Sequence, residues 1–145
     1  MVAALITYRR PVRFEDVDAA RVVFFARFLN YAHEAMERFF DAAEGGYAGM
    51  VMARSIGFPA VRAEVSFHAP LRFGDVVDID TTTARLGNRS ATLRYRFRRQ
   101  DGVLAAEVLH TVVVSDLGPM RSMDMPADIR AVLTAHLESA DGEPT

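Results

Sequence analysis

The chain has 145 residues, half of them hydrophobic, which is the size and apolar content of one domain with a substantial core. Its formal net charge of −2, with both signs interspersed, gives neither a basic footprint for nucleic acid nor an acidic solvating tail. With no cysteine, a disulfide framework, a thiolate metal site and a cysteine nucleophile are excluded, and nothing requires an oxidising compartment.

In chain order, the N-terminal "MVAALITYRR" has an apolar stretch of only about five residues, too short for a signal core or a membrane span. A soluble, unprocessed cytoplasmic protein with no membrane partner is expected. From Ile6 to Phe14, Ile6, Tyr8, Val12 and Phe14 alternate with Thr7, Arg9 and Arg13, which predicts a half-buried strand, with Arg10 standing in its apolar phase. From Phe25 onward, Phe25, Phe28, Leu29, Ala32, Ala35, Met36, Phe39 and Phe40 have helical spacing, predicting a long helix that stops at or before Gly45-Gly46. A short helical segment is expected from Met50 to Arg54.

Beyond Gly57, the segments "AVRAEVSFHAP", "DVVDIDTTTARL", "SATLRYRFRR" and "VLAAEVLHTVVVS" are β-branched, aromatic and largely alternating, and predict four strands. The links between them, Pro70 to Asp75, Gly87-Asn88 and Gln100-Asp101-Gly102, are short enough for an antiparallel sheet. A proline-started helix from Pro126 to Leu137 follows. Residues 1–138 read as one domain and 139–145 as a flexible tail. A helix this apolar is buried only if the sheet curls around it. The expected class is therefore α+β, and the order of elements resembles a hotdog fold: a curved antiparallel sheet around one long central helix, plus a short C-terminal helix.

Glu15, Asp16 and Asp18 stand directly before the apolar helix. A helix N-terminus presents unpaired N–H groups and partial positive charge, which suit it to polarise a carbonyl. A carboxylate beside it could attack that carbonyl or activate a water. Acids at this place also cap free N–H groups, and spacing alone favours capping.

The stretch "FEDVDAARVVFF" is similar to the signature of the 4-hydroxybenzoyl-CoA thioesterase family of hotdog enzymes: an aromatic residue, the pattern Asp-x-Asp-x-Ala-Gly, an apolar pair and further aromatics. "VRAEVSFHAPLRFGDVVDI" resembles that family's second strand, its proline-centred turn and the Gly-Asp opening the third; "MRSMDMPADI" resembles its ending before the last helix. The resemblance runs from about Val12 to Ile129. It implies an acyl-CoA thioesterase acting without metal or cofactor on an aromatic or bulky acyl-CoA. Asp18 would be the nucleophile or general base, with Asp16 as its structural partner. The backbone N–H of Phe25 would bind the thioester carbonyl, and Arg89 and Arg121 would meet the nucleotide phosphates. It further implies a homodimer or homotetramer, and "EVLHTVVVS" is taken as an exposed edge strand that drives pairing.

Three positions depart from the pattern. Arg21 replaces the usual Gly, which removes glycine's backbone freedom and adds a cation. Phe25 stands where an aliphatic acyl-CoA branch has His. Arg27 and Phe28 replace an asparagine and a tyrosine. An aliphatic acyl-CoA thioesterase and a non-catalytic acyl-thioester-binding hotdog module are the alternatives.

Other constellations are poorer. His33, Glu34 and Glu37 in "HEAME" lack the second His at i+4 that a zinc helix needs. Glu34 and Glu37 are runners-up to Asp18, although pairing with Arg38 is the expected role. His68 and His110 fall in strand patterns that suit structural histidines, and no serine lies in a nucleophile elbow.

Overall fold

The computed structural model describes residues 4–139. Strand β1 covers Ile6–Pro11, shorter than the expected Ile6 to Phe14, because Phe14–Asp16 form a one-turn 3-10 helix. The buried Asp16 carboxylate accepts the Arg13 N–H at 2.8 Å and turns the chain inward.

Helix α1 (Arg27–Phe39) begins two residues later than its spacing predicts. The turn before it is bonded i to i+3, with Phe28 N–H on the Phe25 carbonyl and Leu29 N–H on that of Ala26. Its buried stripe is Phe28, Tyr31, Ala32, Ala35, Met36 and Phe39. Tyr31 belongs to this stripe, whereas Phe25 and Leu29 are 67% and 45% exposed. Gly45, with φ of +80°, then launches α2 (Gly46–Met52), so the glycines that end the first helical run also start the second, four residues before the expected position.

The remaining elements are β2 (Ile56–Gly57), β3 (Ala60–Phe67), β4 (Val76–Leu86), β5 (Ser90–Arg99), β6 (Leu104–Val113), β7 (Ser115–Asp116), β8 (Arg121–Ser122) and α3 (Ala127–Ala135). The main sheet is antiparallel in the order β1-β4-β5-β6-β3, and β2, β7 and β8 form a small second sheet. In β5, Ala91, Leu93, Tyr95 and Phe97 face inward and are buried, while Thr92, Arg94, Arg96 and Arg98 alternate with them on the outer face. Phe97 meets Phe28 and Tyr31 of α1, with ring centroids 5.5 and 6.5 Å apart. The sheet thus wraps the helix, and the fold is a hotdog.

Two sequence expectations about the sheet are corrected. The segment Pro70 to Asp75 is not a hairpin link: β3 pairs with β6 and β4 with β1 and β5. β3 and β4 are three strand spacings apart, roughly 14 Å, a gap that residues 68–75 span easily at about 3.3 Å each. "EVLHTVVVS" is likewise not an edge, because β6 is paired on both sides. The free edges belong to β1 and β3.

One polar cluster is sealed between β1 and α1. Asp16, 0% exposed, accepts the Tyr31 hydroxyl at 2.6 Å and the Arg10 guanidinium at 2.9 Å. Arg10 also lies over the Tyr31 ring, 4.4 Å from its centroid, and reaches Glu34 Oε1 at 3.0 Å, which accepts the Tyr8 hydroxyl as well. Burial by itself pushes the Asp16 carboxyl up, but the Tyr31 hydroxyl, the Arg13 N–H and Arg10 together hold it below the usual carboxylate range. A carboxylate whose pKa is lowered by folding stabilises fully above its unfolded value of about 3.9 and loses that contribution as pH falls through the folded value. Asp16→Ala, which leaves the buried Arg10 guanidinium with Glu34 as its one carboxylate and the Tyr31 hydroxyl without its acceptor, should lower the unfolding free energy at neutral pH by roughly 3 kcal/mol. The gap to wild type in urea titrations should narrow below about pH 4; a small, pH-independent gap would contradict this account.

Candidate active site

The loop from Val17 to Val23 is a small hairpin laid across the N-terminal end of α1. Val17 and Val23 form an antiparallel bridge, Asp18 N–H donates to Val22 O at 3.0 Å, and Arg21 N–H to Asp18 O at 2.9 Å. Val23 N–H reaches Leu71 O and Phe24 N–H reaches Asp16 O, so the loop is tied both to the segment after β3 and to the buried cluster. Asp18 is exposed and opens the turn: its Oδ1 accepts the Ala20 N–H at 2.8 Å, an Asx turn. Its second oxygen has no hydrogen-bond partner among the described residues. The expected capping of the long helix is therefore corrected: the N-cap of α1, Ala26, has no side-chain partner, and Asp18 spends one oxygen on its own turn.

Arg21 closes the turn with φ of +68°, the left-handed conformation that glycine adopts freely. The loop keeps its shape without the glycine, at a cost of about 1–2 kcal/mol for a side chain in this region. The Arg21 departure has thus left the turn intact while adding a guanidinium.

Beyond the loop, the backbone N–H groups of Phe25 and Ala26 have no acceptor among the described residues, as the first turn of a helix requires. They stand at the positive end of α1. Phe25 borders an apolar cavity of about 320 Å³ with Val22, Val23, Phe28, Phe67 and Leu71. Asp18 lines a neighbouring cavity of about 610 Å³ with Phe14, Arg21, Arg72 and Phe73. The two cavities take adjoining residues of the same two segments, Val22, Val23 and Leu71 lining the first and Arg21 and Arg72 the second, so the Val22-Val23 and Leu71 stretch forms the ridge where one lining passes to the other. A thioester laid over that ridge would have an N–H donor on one side and a free carboxylate oxygen on the other.

The other sequence candidates fall elsewhere. Arg89 donates to Asp124 at 2.9 Å and to Ser122 at 3.3 Å, beside Arg121 in β8; this brings the two arginines into one neighbourhood, but neither lines the two cavities above. Glu34 is held by Tyr8 and Arg10, Glu37 by His33 at 2.9 Å, and Arg38 by Asp41, so the expected pairing of the helix acids with Arg38 is corrected. His110 lies 3.1 Å from the buried Tyr95 hydroxyl, and burial together with nearby His33 pushes its pKa down, which suits a neutral structural ring. His68 is exposed at the rim of the apolar cavity.

The reading from residues overlooked Tyr31 and Arg10, which fix the loop through Asp16. The available signals were a charged residue in the inward phase of a strand and a tyrosine three residues after Phe28 on the helix stripe. Among the described residues, no helix is long and apolar enough to cross a membrane.

A family model described as the thioesterase-like superfamily matches residues 12–133. A 1,4-dihydroxy-2-naphthoyl-CoA hydrolase of Nostoc punctiforme is 31% identical over 136 residues, 94% of this chain and 91% of that protein. A solved gentisyl-coenzyme A thioesterase, also 31% identical, superposes with a TM-score of 0.77 over 86% of this chain and 98% of its own. A 1,4-dihydroxy-2-naphthoyl-CoA thioesterase from Synechocystis, 24% identical with a TM-score of 0.80 over 90% and 96% of the two chains, shares the fold. The chain belongs to the thioesterase-like superfamily and is a thioester hydrolase of hotdog fold.

Proposed function

We propose that the chain hydrolyses an aromatic acyl-CoA, of the hydroxylated kind named for its relatives, to the free acid and coenzyme A in the cytoplasm. The observation that carries this reading is the unpaired Phe25 N–H at the head of α1, on a residue that lines an apolar cavity, with Asp18, one of whose oxygens has no partner among the described residues, lining a second cavity built from the adjoining residues of the same loop. A cavity of about 150 Å³ holds a benzene ring. The 320 Å³ beside Phe25 is ample for a substituted or fused aromatic acyl group.

In the reaction, the carbonyl oxygen accepts the Phe25 N–H, so the charge developing on it is met by a fixed donor at the helix end. Asp18 removes a proton from water as its oxygen bonds to the carbonyl carbon, or attacks that carbon itself to form an anhydride that water then cleaves. In either course the C–S bond breaks and the proton gained from water goes to the departing thiolate. Arg89 and Arg121 would meet the adenosine phosphates of a substrate held across an interface between chains.

Edge strand β3 supplies that interface. It is paired on one side only, and Val61 and Phe67 are 63% and 52% exposed along it. Pairing β3 with β3 of a second copy around a two-fold axis would extend the sheet and set Asp18 of one chain against β3 of the other, as a homodimer that further pairs into a homotetramer.

Asp18→Asn retains the oxygen that accepts the Ala20 N–H, so the variant should fold as wild type while thiol release from a panel of aromatic acyl-CoA esters falls roughly 10²-fold or more. Wild-type turnover in this folded variant would move the chemistry away from Asp18. For assembly, light scattering and activity followed together across dilution should fall in step; a fully active monomer would refute a shared site.

A further inference from the structure

The largest cavity beside the proposed chemistry is the one that Asp18 lines, and charged groups that an acyl pocket does not need stand beside the small apolar Val17 and Ala19 among its walls. Two of them are guanidinium groups, Arg21 and Arg72, neither with a side-chain acceptor among the described residues. Two more are Phe14 and Phe73, 77% and 62% exposed, their rings edge to face at 5.9 Å. Free cations usually extend into water and large exposed aromatics are usually scattered; here both kinds converge on one concavity next to a reacting carboxylate. The surroundings do not neutralise the cations. Asp16 is taken up by Arg10 and Tyr31, and Asp75 is turned onto the Arg72 and Gln100 amides, so Asp18 itself is the one acid on the cavity wall.

We propose that this cavity binds the phosphopantetheine end of coenzyme A, with Arg21 and Arg72 gripping the phosphate nearest the thioester and Phe14 and Phe73 walling the gem-dimethyl carbons beside it. The assignment rests on the acyl-CoA reading above and gives it a direction: the acyl group lies on the Phe25 side of the Val22-Val23 ridge and the coenzyme arm on the Asp18 side. Guanidinium groups suit this task because their planar donors pair with phosphate oxygens in a bidentate way. Arg89 and Arg121, which line neither cavity, are left for the far, adenosine end. Arg21 thus occupies a position whose backbone favours glycine because its side chain holds the substrate.

Three thioesters of one aromatic acyl group test the inference: the acyl-CoA, the acyl-4′-phosphopantetheine and the acyl-pantetheine. Arg21→Gly suits the left-handed backbone and so keeps the loop. It and Arg72→Ala should each raise KM roughly tenfold or more for the two phosphorylated substrates, the scale of one lost charge-assisted hydrogen bond, with no such rise for acyl-pantetheine. Arg21→Lys should recover part of the loss, and Arg89→Ala should affect acyl-CoA alone. Equal effects of Arg21→Gly on all three substrates, or no effect on any, would overturn the assignment. A wild-type protein that cleaves none of the three would overturn the acyl-CoA reading on which it rests.

Discussion

The buried ion pair between Arg10 and Asp16, closed by the Tyr31 hydroxyl, is the contact on which the rest of the site depends. It joins three parts of the chain that the proposed chemistry requires in fixed relation: the end of β1, the loop that carries Asp18 and the first turns of α1. A buried ion pair is a poor source of net stability, since desolvating the charges offsets most of their attraction. Its value here is positional. The same carboxylate that satisfies Arg10 also accepts the Arg13 N–H, and the Asp16 carbonyl accepts the Phe24 N–H, so the register of the loop against the helix is set from both ends.

On that frame the two carboxylates of the Asp-x-Asp pattern divide their work by environment. Asp16 is sealed from solvent, with Arg10, the Arg13 N–H and the Tyr31 hydroxyl all converging on its Oδ2, so it faces its structural partners and not a substrate. Asp18, two residues on, spends one oxygen on the turn and keeps the other open to a cavity. Alternation cannot account for the difference, since residues two apart in an extended stretch share a face; the break in the backbone does, Asp16 ending a one-turn 3-10 helix and Asp18 opening the turn of the hairpin.

Much of the fold could be read from the residues, because its signals are local. The alternation in "SATLRYRFRR" gave β5 with its inward Leu93, Tyr95 and Phe97, and the stripe from Phe28 to Phe39 gave α1. What could not be read depends on distant partners. Nothing in the stretch from Pro70 to Asp75 says that it crosses between strands three spacings apart, because a short loop fits a hairpin as well as a crossing in a curled sheet. The sharing of Glu34 between Tyr8 and Arg10 likewise could not compete, on sequence grounds, with an intrahelical partner four residues away. At the site, Asp18 and Phe25 were singled out by the motif and remain proposals, whereas the strained Arg21 and the cavity it shares with Arg72 emerge only when the turn and the segment after β3 are brought together.

The central claim is that the head of α1 polarises a thioester carbonyl while Asp18 faces its carbon. The most direct test is a crystal structure with an acyl-CoA analogue in which the thioester sulfur is replaced by methylene, leaving a ketone that cannot be hydrolysed. The account predicts the ketone oxygen about 2.7–3.1 Å from the Phe25 nitrogen, with the free Asp18 oxygen turned toward the carbonyl carbon. A ketone oxygen held by any other donor, with the Phe25 N–H left facing solvent, would contradict it.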